Sequence, residues 1–124
     1  MEADRKHPRG LTHVWHATLT ALAGLRAAWQ FEDAFRQEVL IAAIAIPVAL
    51  FLPVTTTGKA LMITSILLVL IVELLNSALE AAVDHTSLER HPLAKRAKDV
   101  ASAAVLMSIV NALVMWGMVL LTGT

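Results

Sequence analysis

From Ala60 to Val83 the chain runs through an apolar stretch whose only ionisable residues are Glu73 and Glu80. Carboxylates at membrane depth cost a few kcal/mol even on lenient insertion scales, so they are kept for a purpose. Two further segments, Val39 to Gly58 and Val100 to Thr124, carry no charge at all. Each of the three is long enough, at about 20 residues, to cross a bilayer as a helix. A chain of 124 residues that is 57% hydrophobic and 16% charged lacks the polar groups to cover a soluble domain. Its mean hydropathy of +0.68 agrees. The expected fold class is therefore an all-α membrane protein, with three transmembrane helices and an N-terminal amphipathic surface helix in one helical bundle. No length is left for a separate soluble catalytic domain, so any chemistry belongs to the helices and their short connections.

The expected boundaries are 9–30 for the surface helix, 34–53 for the first span, 59–84 for the second and 96–121 for the third, in a single membrane domain over 1–124. Pro53 and Thr55-Thr56-Thr57-Gly58 end the first span, in which Pro47 marks a kink site. The first apolar run begins too late for a signal peptide. Ahead of it Leu11, Val14, Trp15, Leu19, Leu22, Leu25 and Trp29 recur every three to four residues, with His13, His16, Thr20 and Arg26 largely between them. That pattern fits a helix on the membrane surface, or one whose apolar face packs on protein. Basic residues number five before span one (Arg5, Lys6, Arg9, Arg26, Arg36), one after it (Lys59), four between spans two and three (Arg90, Lys95, Arg96, Lys98) and none after span three. The alternation puts the N-terminus and the second loop in the cytoplasm.

Glu73 and Glu80 are seven residues apart, which on a helix leaves them only about 20° apart. Ser77, Asn76 and Asp84 join the same face, running toward the cytoplasmic end of span two. Such a stripe serves either as a polar seam between helices or, since two of its members are carboxylates, as a cation site or proton acceptor. Glu32, Asp33, Arg36 and Glu38 before span one, and Lys95, Arg96, Lys98 and Asp99 at the start of span three, lie on the same side. Carboxylates with lysines just inside the interface are what a metal-bound nucleotide requires, although loop charges of this kind also arise from topology alone.

Other chemistries are excluded. Net charge is zero, so no basic excess points to nucleic acid, and the absence of cysteine removes disulfides, thiolate metal sites and a thiol nucleophile. Gly58-Lys59-Ala60 resembles the tail of a P-loop but has Pro53 in place of its first glycine and Ala60 in place of Ser or Thr. No HExxH, GxGxxG or GxSxG occurs. His13 and His16 read as polar-face residues rather than metal ligands. Trp15, Trp29 and Trp116 read as interfacial anchors, and Ala101 to Ala104 with Ser108 as a small-residue packing face.

Four strings, Gly24-Leu-Arg-Ala-Ala-Trp29, Glu32-x-Ala-Phe-Arg-Gln-Glu38, Ile71-Val-Glu-Leu-Leu-Asn-Ser-Ala-Leu-Glu-Ala-Ala-Val-Asp84 and Ala97-Lys-Asp-x-x-Ser-Ala-Ala-Val105, closely resemble the prokaryotic diacylglycerol kinases. The resemblance extends over about residues 24 to 120. It implies a bacterial inner-membrane homotrimer that transfers the γ-phosphate of MgATP to the hydroxyl of a membrane lipid.

By matching residues, the resemblance implies that Glu73 is the general base and Asn76 its support, and that Glu32 and Glu80 hold Mg²⁺. It implies nucleotide contacts from Lys98 and Asp99, with Glu89, Arg90 and His91 near the adenine, and a lipid site lined by Arg26, Ala27, Ala28, Trp29, Ala34, Phe35, Arg36, Gln37, Glu38, Glu73 and Ser102. His13, Leu19 and Thr20 depart from the family pattern, in which an arginine, a glycine and a tyrosine stand at those places. His91-Pro-Leu-Ala-Lys95 is similar to a loop of the sister undecaprenol kinases. The remaining alternative is a small proton- or cation-conducting subunit, which also uses a Glu-lined helix but has no need of a Lys98-Asp99 pair.

Overall fold

The computed structural model describes residues 10–86 and 91–124. Among these the chain forms four helices: α1 (Leu11–Phe31), α2 (Asp33–Phe51), α3 (Thr56–Thr86) and α4 (Pro92–Thr122). The chain divides into two compact units, residues 1–32 and residues 33–124.

The first unit contains α1. Gly10 stands at its N-cap with φ 61°, a left-handed backbone that glycine adopts without a Cβ clash. Its carbonyl accepts the Val14 N–H at 3.1 Å. Glu32 ends the helix in extended conformation, and its N–H still bonds the Ala28 carbonyl at 2.9 Å. Leu11, Trp15, Leu22 and Trp29 are all exposed, so the amphipathic pattern is present on a helix.

The second unit is built around α3, which packs along both α2 and α4. These three helices are long and apolar enough to cross a membrane. Their packing follows small residues at near-heptad spacing, which let backbones approach closely where lipid supplies no hydrophobic drive. On α3 the buried positions are Gly58, Met62, Ser65, Val69 and Glu73; α2 supplies Ala42 and Ala49, and α4 supplies Ala94, Ser108, Ala112 and Val119. Of the small-residue face expected on span three, Ser108 is buried, whereas Ser102, Ala103 and Ala104 are exposed. Helix α2 continues through Pro47.

The end of the bundle near residues 52–62 is its best-packed part. Ala49, Met62 and Val119 form a buried cluster joined by Leu52, Val54, Ile63 and Trp116. The Met62 carbonyl accepts Ser65 Oγ at 2.7 Å and Trp116 Nε1 at 3.1 Å. Trp116, expected as an interfacial anchor, thus ties α4 to α3. Lys59 donates to the Leu50 carbonyl at 2.6 Å, satisfying one of the acceptors left open at the end of α2. Gly58 is buried, and a Cβ there would collide with the Thr124 backbone.

Helix α4 begins at Pro92, four residues ahead of the expected span, for a local reason. His91 caps it by accepting the Leu93 N–H on Nδ1 at 3.1 Å, and proline at the first position is already set to helical φ. Truncation at the buried Met62 should expose the weight of the three-helix cluster. Met62→Ala is expected to lower stability by about 2 kcal/mol or more, against little change for the exposed Met118→Ala, as read by denaturant unfolding in mixed micelles.

Candidate functional site

The buried face of α3 leads directly into the polar stripe. Glu73 is its last buried member, 3% exposed, and along the same helix Asn76, Ser77 and Glu80 are half-buried while Asp84 is exposed. Polarity and accessibility therefore rise together from the middle of α3 to its end, as the sequence spacing predicted for one face.

Across from Glu73 stands Glu38 of α2. The two carboxyl groups are within hydrogen-bonding reach of one another. Two negative charges at that separation in an apolar bundle repel strongly, and one proton or one cation between them removes the cost. Among the described residues, neither Glu38 Oε1 nor Asn76 Oδ1, both buried, has a hydrogen-bond partner. Buried acceptors are normally satisfied by protein groups or ordered water, so each of these oxygens has capacity for one more donor. The Asn76 amide nitrogen reaches Glu80 Oε1 at 3.4 Å, a long contact that leaves the Glu80 carboxylate largely available.

Glu38 also lines an apolar cavity of about 260 Å³, together with Ile41, Ile66, Val69, Leu70, Ile109, Ala112 and Leu113. These residues were not singled out from sequence. Their spacings, 66-69-70 on α3 and 109-112-113 on α4, are the i, i+3, i+4 pattern of one helix face, but an all-apolar helix offers many such faces.

At the far end of the stripe α3 and α4 are linked by charge. Lys98 Nζ donates to Asp84 Oδ1 at 2.9 Å, while the neighbouring Asp99 accepts from Lys95 at 2.7 Å. Lys98 and Asp99, expected as an adjacent acid-base pair, thus face different partners. The convergence of the span-three cations with the lower end of span two is present through Asp84. Arg36 pairs locally with Asp33.

The remaining expected residues are placed as follows. Arg26, Ala27 and Trp29 are exposed on α1, Ala28 is buried, and Glu32 is half-buried at the helix end. They belong to the first unit, and Glu73 and Glu80 to the second. On α2, Ala34 and Gln37 are exposed, Arg36 and Glu38 half-buried and Phe35 buried; Ser102 is exposed on α4. His91 serves as the α4 cap, and Glu89 and Arg90 lie outside the described residues. Among the described residues no three His, Asp or Glu side chains gather as a ready-made metal cage.

A bundle of membrane-spanning length with a carboxylate pair beside an apolar cavity, and a cation-bearing polar stripe leading away from it, has the groups that an integral-membrane enzyme needs. A profile of the prokaryotic diacylglycerol kinases matches residues 19–120. The chain is 52% identical over 116 residues to the diacylglycerol kinase of Pseudomonas aeruginosa, covering 94% of each chain. It is 46% identical over 111 residues to that of Haemophilus influenzae (90% of this chain, 94% of the relative) and 47% identical over 107 residues to that of Escherichia coli K12 (86% and 88%). The chain belongs to the prokaryotic diacylglycerol kinase family.

The carboxylate pair makes a prediction independent of catalysis. Glu38→Gln removes one of the two facing charges while keeping a hydrogen-bonding side chain, and is expected to leave the protein at least as stable, with a gain on the order of 1 kcal/mol. Unfolding in mixed micelles measures this, and a loss of stability would mean that a bound cation or a further donor requires both charges.

Proposed function

We propose that this protein is an ATP-dependent kinase of the membrane that phosphorylates 1,2-diacylglycerol, giving phosphatidic acid and ADP. The observation that carries the reading is Glu73 of the polar stripe, buried against Glu38, which lines the apolar cavity. An acyl chain fits the apolar side of that junction, and the hydroxyl it carries meets the carboxylates and the orphaned Glu38 and Asn76 oxygens. The names of the relatives supply the lipid, and family membership favours phosphoryl transfer over cation conduction.

In this reading Glu73 accepts the proton of the lipid hydroxyl as its oxygen bonds to the γ-phosphorus and the bond to the bridging oxygen breaks, releasing ADP. Asn76 orients the carboxylates on either side of it, one turn away along α3. Lys98 and Asp99 bind the nucleotide, and Arg26, Ala27, Ala28, Trp29, Ala34, Phe35, Arg36, Gln37 and Ser102 border the lipid. Glu89, Arg90 and His91 contact the adenine end.

A kinase of this family requires a divalent cation, and Mg²⁺ is the ion proposed. The Glu80 carboxylate fits it, being a hard oxygen donor with, among the described residues, one long hydrogen bond. Glu32 is the proposed second ligand, with phosphate and water completing the shell of an ion that keeps most of its hydration. When bound, the ion neutralises phosphate charge.

The large apolar surface of all four helices and the exposed side of the stripe support a homotrimer in which neighbouring copies close each site. The basic-residue alternation supports an inner-membrane protein with its N-terminus and the α3–α4 connection in the cytoplasm.

Two experiments test the reading. The purified protein, given MgATP with diacylglycerol and undecaprenol in parallel, is expected to phosphorylate diacylglycerol preferentially. Glu73→Gln should then lose about 10² to 10⁴ in turnover while still binding nucleotide. Near-normal turnover would remove Glu73 as the base. In the second experiment, Glu73→Gln chains mixed with Asp99→Ala chains should regain activity in particles that crosslinking shows to hold both. Inactive mixed particles would mean that each chain carries a complete site.

A further inference from the structure

The cavity of about 260 Å³ and the polar stripe lie on opposite sides of the carboxylate pair along α3. Its lining residues Ile66, Val69 and Leu70 precede Glu73, whereas Asn76, Ser77, Glu80 and Asp84 all follow it. Helix α2 runs the other way, since Ala49 clusters with Met62 and Glu38 faces Glu73. On it the lining residue Ile41 follows Glu38, whereas Asp33 and Arg36 precede it. From Ile66 to Glu73 the helix advances about 10 Å. Among the described residues that line the cavity, Glu38 alone is polar, so the rest of the space suits hydrocarbon. Val69 and Ala112 are buried, Ile66 and Leu70 half-buried, and Ile109 and Leu113 exposed. The lining thus runs from buried to exposed, leaving the cavity open to a chain that arrives from the side of the bundle. An apolar cavity of about 150 Å³ holds benzene, with its six carbons. In proportion, the 260 Å³ here hold about ten.

We propose that this cavity is a measuring pocket for one acyl chain of the lipid substrate: it takes about ten carbons nearest the glycerol and reads no further, with Ile66 as a specificity-determining residue. The assignment rests on the reading of Glu73 as the base for a diacylglycerol hydroxyl, because that hydroxyl, held at the carboxylate pair, directs the chain into the cavity. Surrounding lipid tails are as apolar as the pocket, so entering it brings no hydrophobic transfer energy. What the chain gains is dispersion contact with a fixed lining, which a partly filled cavity forfeits. Selection therefore acts on chain length up to the capacity of the cavity and stops there.

The test gives the full chain in mixed micelles MgATP and saturated 1,2-diacylglycerols of six to eighteen carbons per chain, at equal mole fraction. In the parent, kcat/KM is expected to rise about ten-fold from six to ten carbons and to change less than about two-fold from twelve to eighteen. Ile66→Phe adds three side-chain atoms to the lining and Ile66→Ala removes three. The plateau should therefore begin at about seven carbons in the first and about thirteen in the second. Every variant meets the same lipids, so micelle partitioning cancels. In parallel, a diacylglycerol with a photoreactive diazirine on the eighth carbon of both chains should label Ile66, Val69 or Leu70.

A parent without a plateau overturns the proposal, and the kinase reading stands. So does a loss of activity at every chain length in the Ile66 variants with the plateau unmoved, which is a disturbed bundle and no measuring pocket. Labelling confined to the exposed Leu67, Leu68 and Ile71 is contact with bulk lipid, and it too overturns the proposal. A cavity filled by a neighbouring copy gives no label at its lining and has the same consequence. If Ile66→Phe fails to assemble, Ile109→Phe at the exposed edge of the cavity takes its place and is read in the same way. A parent that phosphorylates undecaprenol and no diacylglycerol overturns the reading of the substrate and the proposal with it.

Discussion

A carboxylate with 3% of its surface exposed, set in the middle of an apolar helix and facing a second carboxylate, is the constraint around which the bundle is organised. Glu73 is placed there by the packing seam itself. The positions that bury Gly58, Met62, Ser65 and Val69 repeat every three or four residues, and the next position of that series is Glu73. The helix cannot turn it away without also lifting Met62 out of its cluster with Ala49 and Val119. Packing at one end of α3 and the polar stripe toward the other are therefore a single register.

That register explains the uneven distribution of structure along the bundle. Around residues 52–62 the helices are joined by a fully buried methionine, an indole bonded to a backbone carbonyl and a lysine satisfying a helix end. Toward the other end the seam gives way to half-buried polar groups with unsatisfied oxygens, and then to exposed ion pairs. Apolar packing holds the helices together at one end, while the polar side chains at the other remain partly accessible.

The polar groups are also sorted by depth. Glu73 faces Glu38, which lines the apolar cavity, Asn76 and Glu80 follow, and Asp84 with Lys98 stand where the helices are accessible. The stripe is graded from buried to exposed along about three helical turns, from Glu73 inside the bundle to Asp84 at the accessible end.

Four helices, their apolar lengths and the common face of Glu73, Asn76, Ser77, Glu80 and Asp84 were legible in the sequence. So was the family, carried by the strings around Glu32, Glu73 and Lys98. These are local properties: hydropathy over about 20 residues sets a span, and 100° per residue sets a face. Which of those faces meets another helix was not legible, because a helix apolar on every side offers no moment to distinguish core from lipid. Only the tertiary structure decided that Glu38 stands opposite Glu73, that Lys98 reaches Asp84 while Asp99 turns to Lys95, and that Trp116 binds the Met62 carbonyl. Each of these joins residues on different helices or resolves a choice between neighbouring partners. The choice is made by how small residues such as Ala49, Gly58, Ser65 and Ala112 let the helices approach and rotate, a property of the assembled bundle and of no single segment.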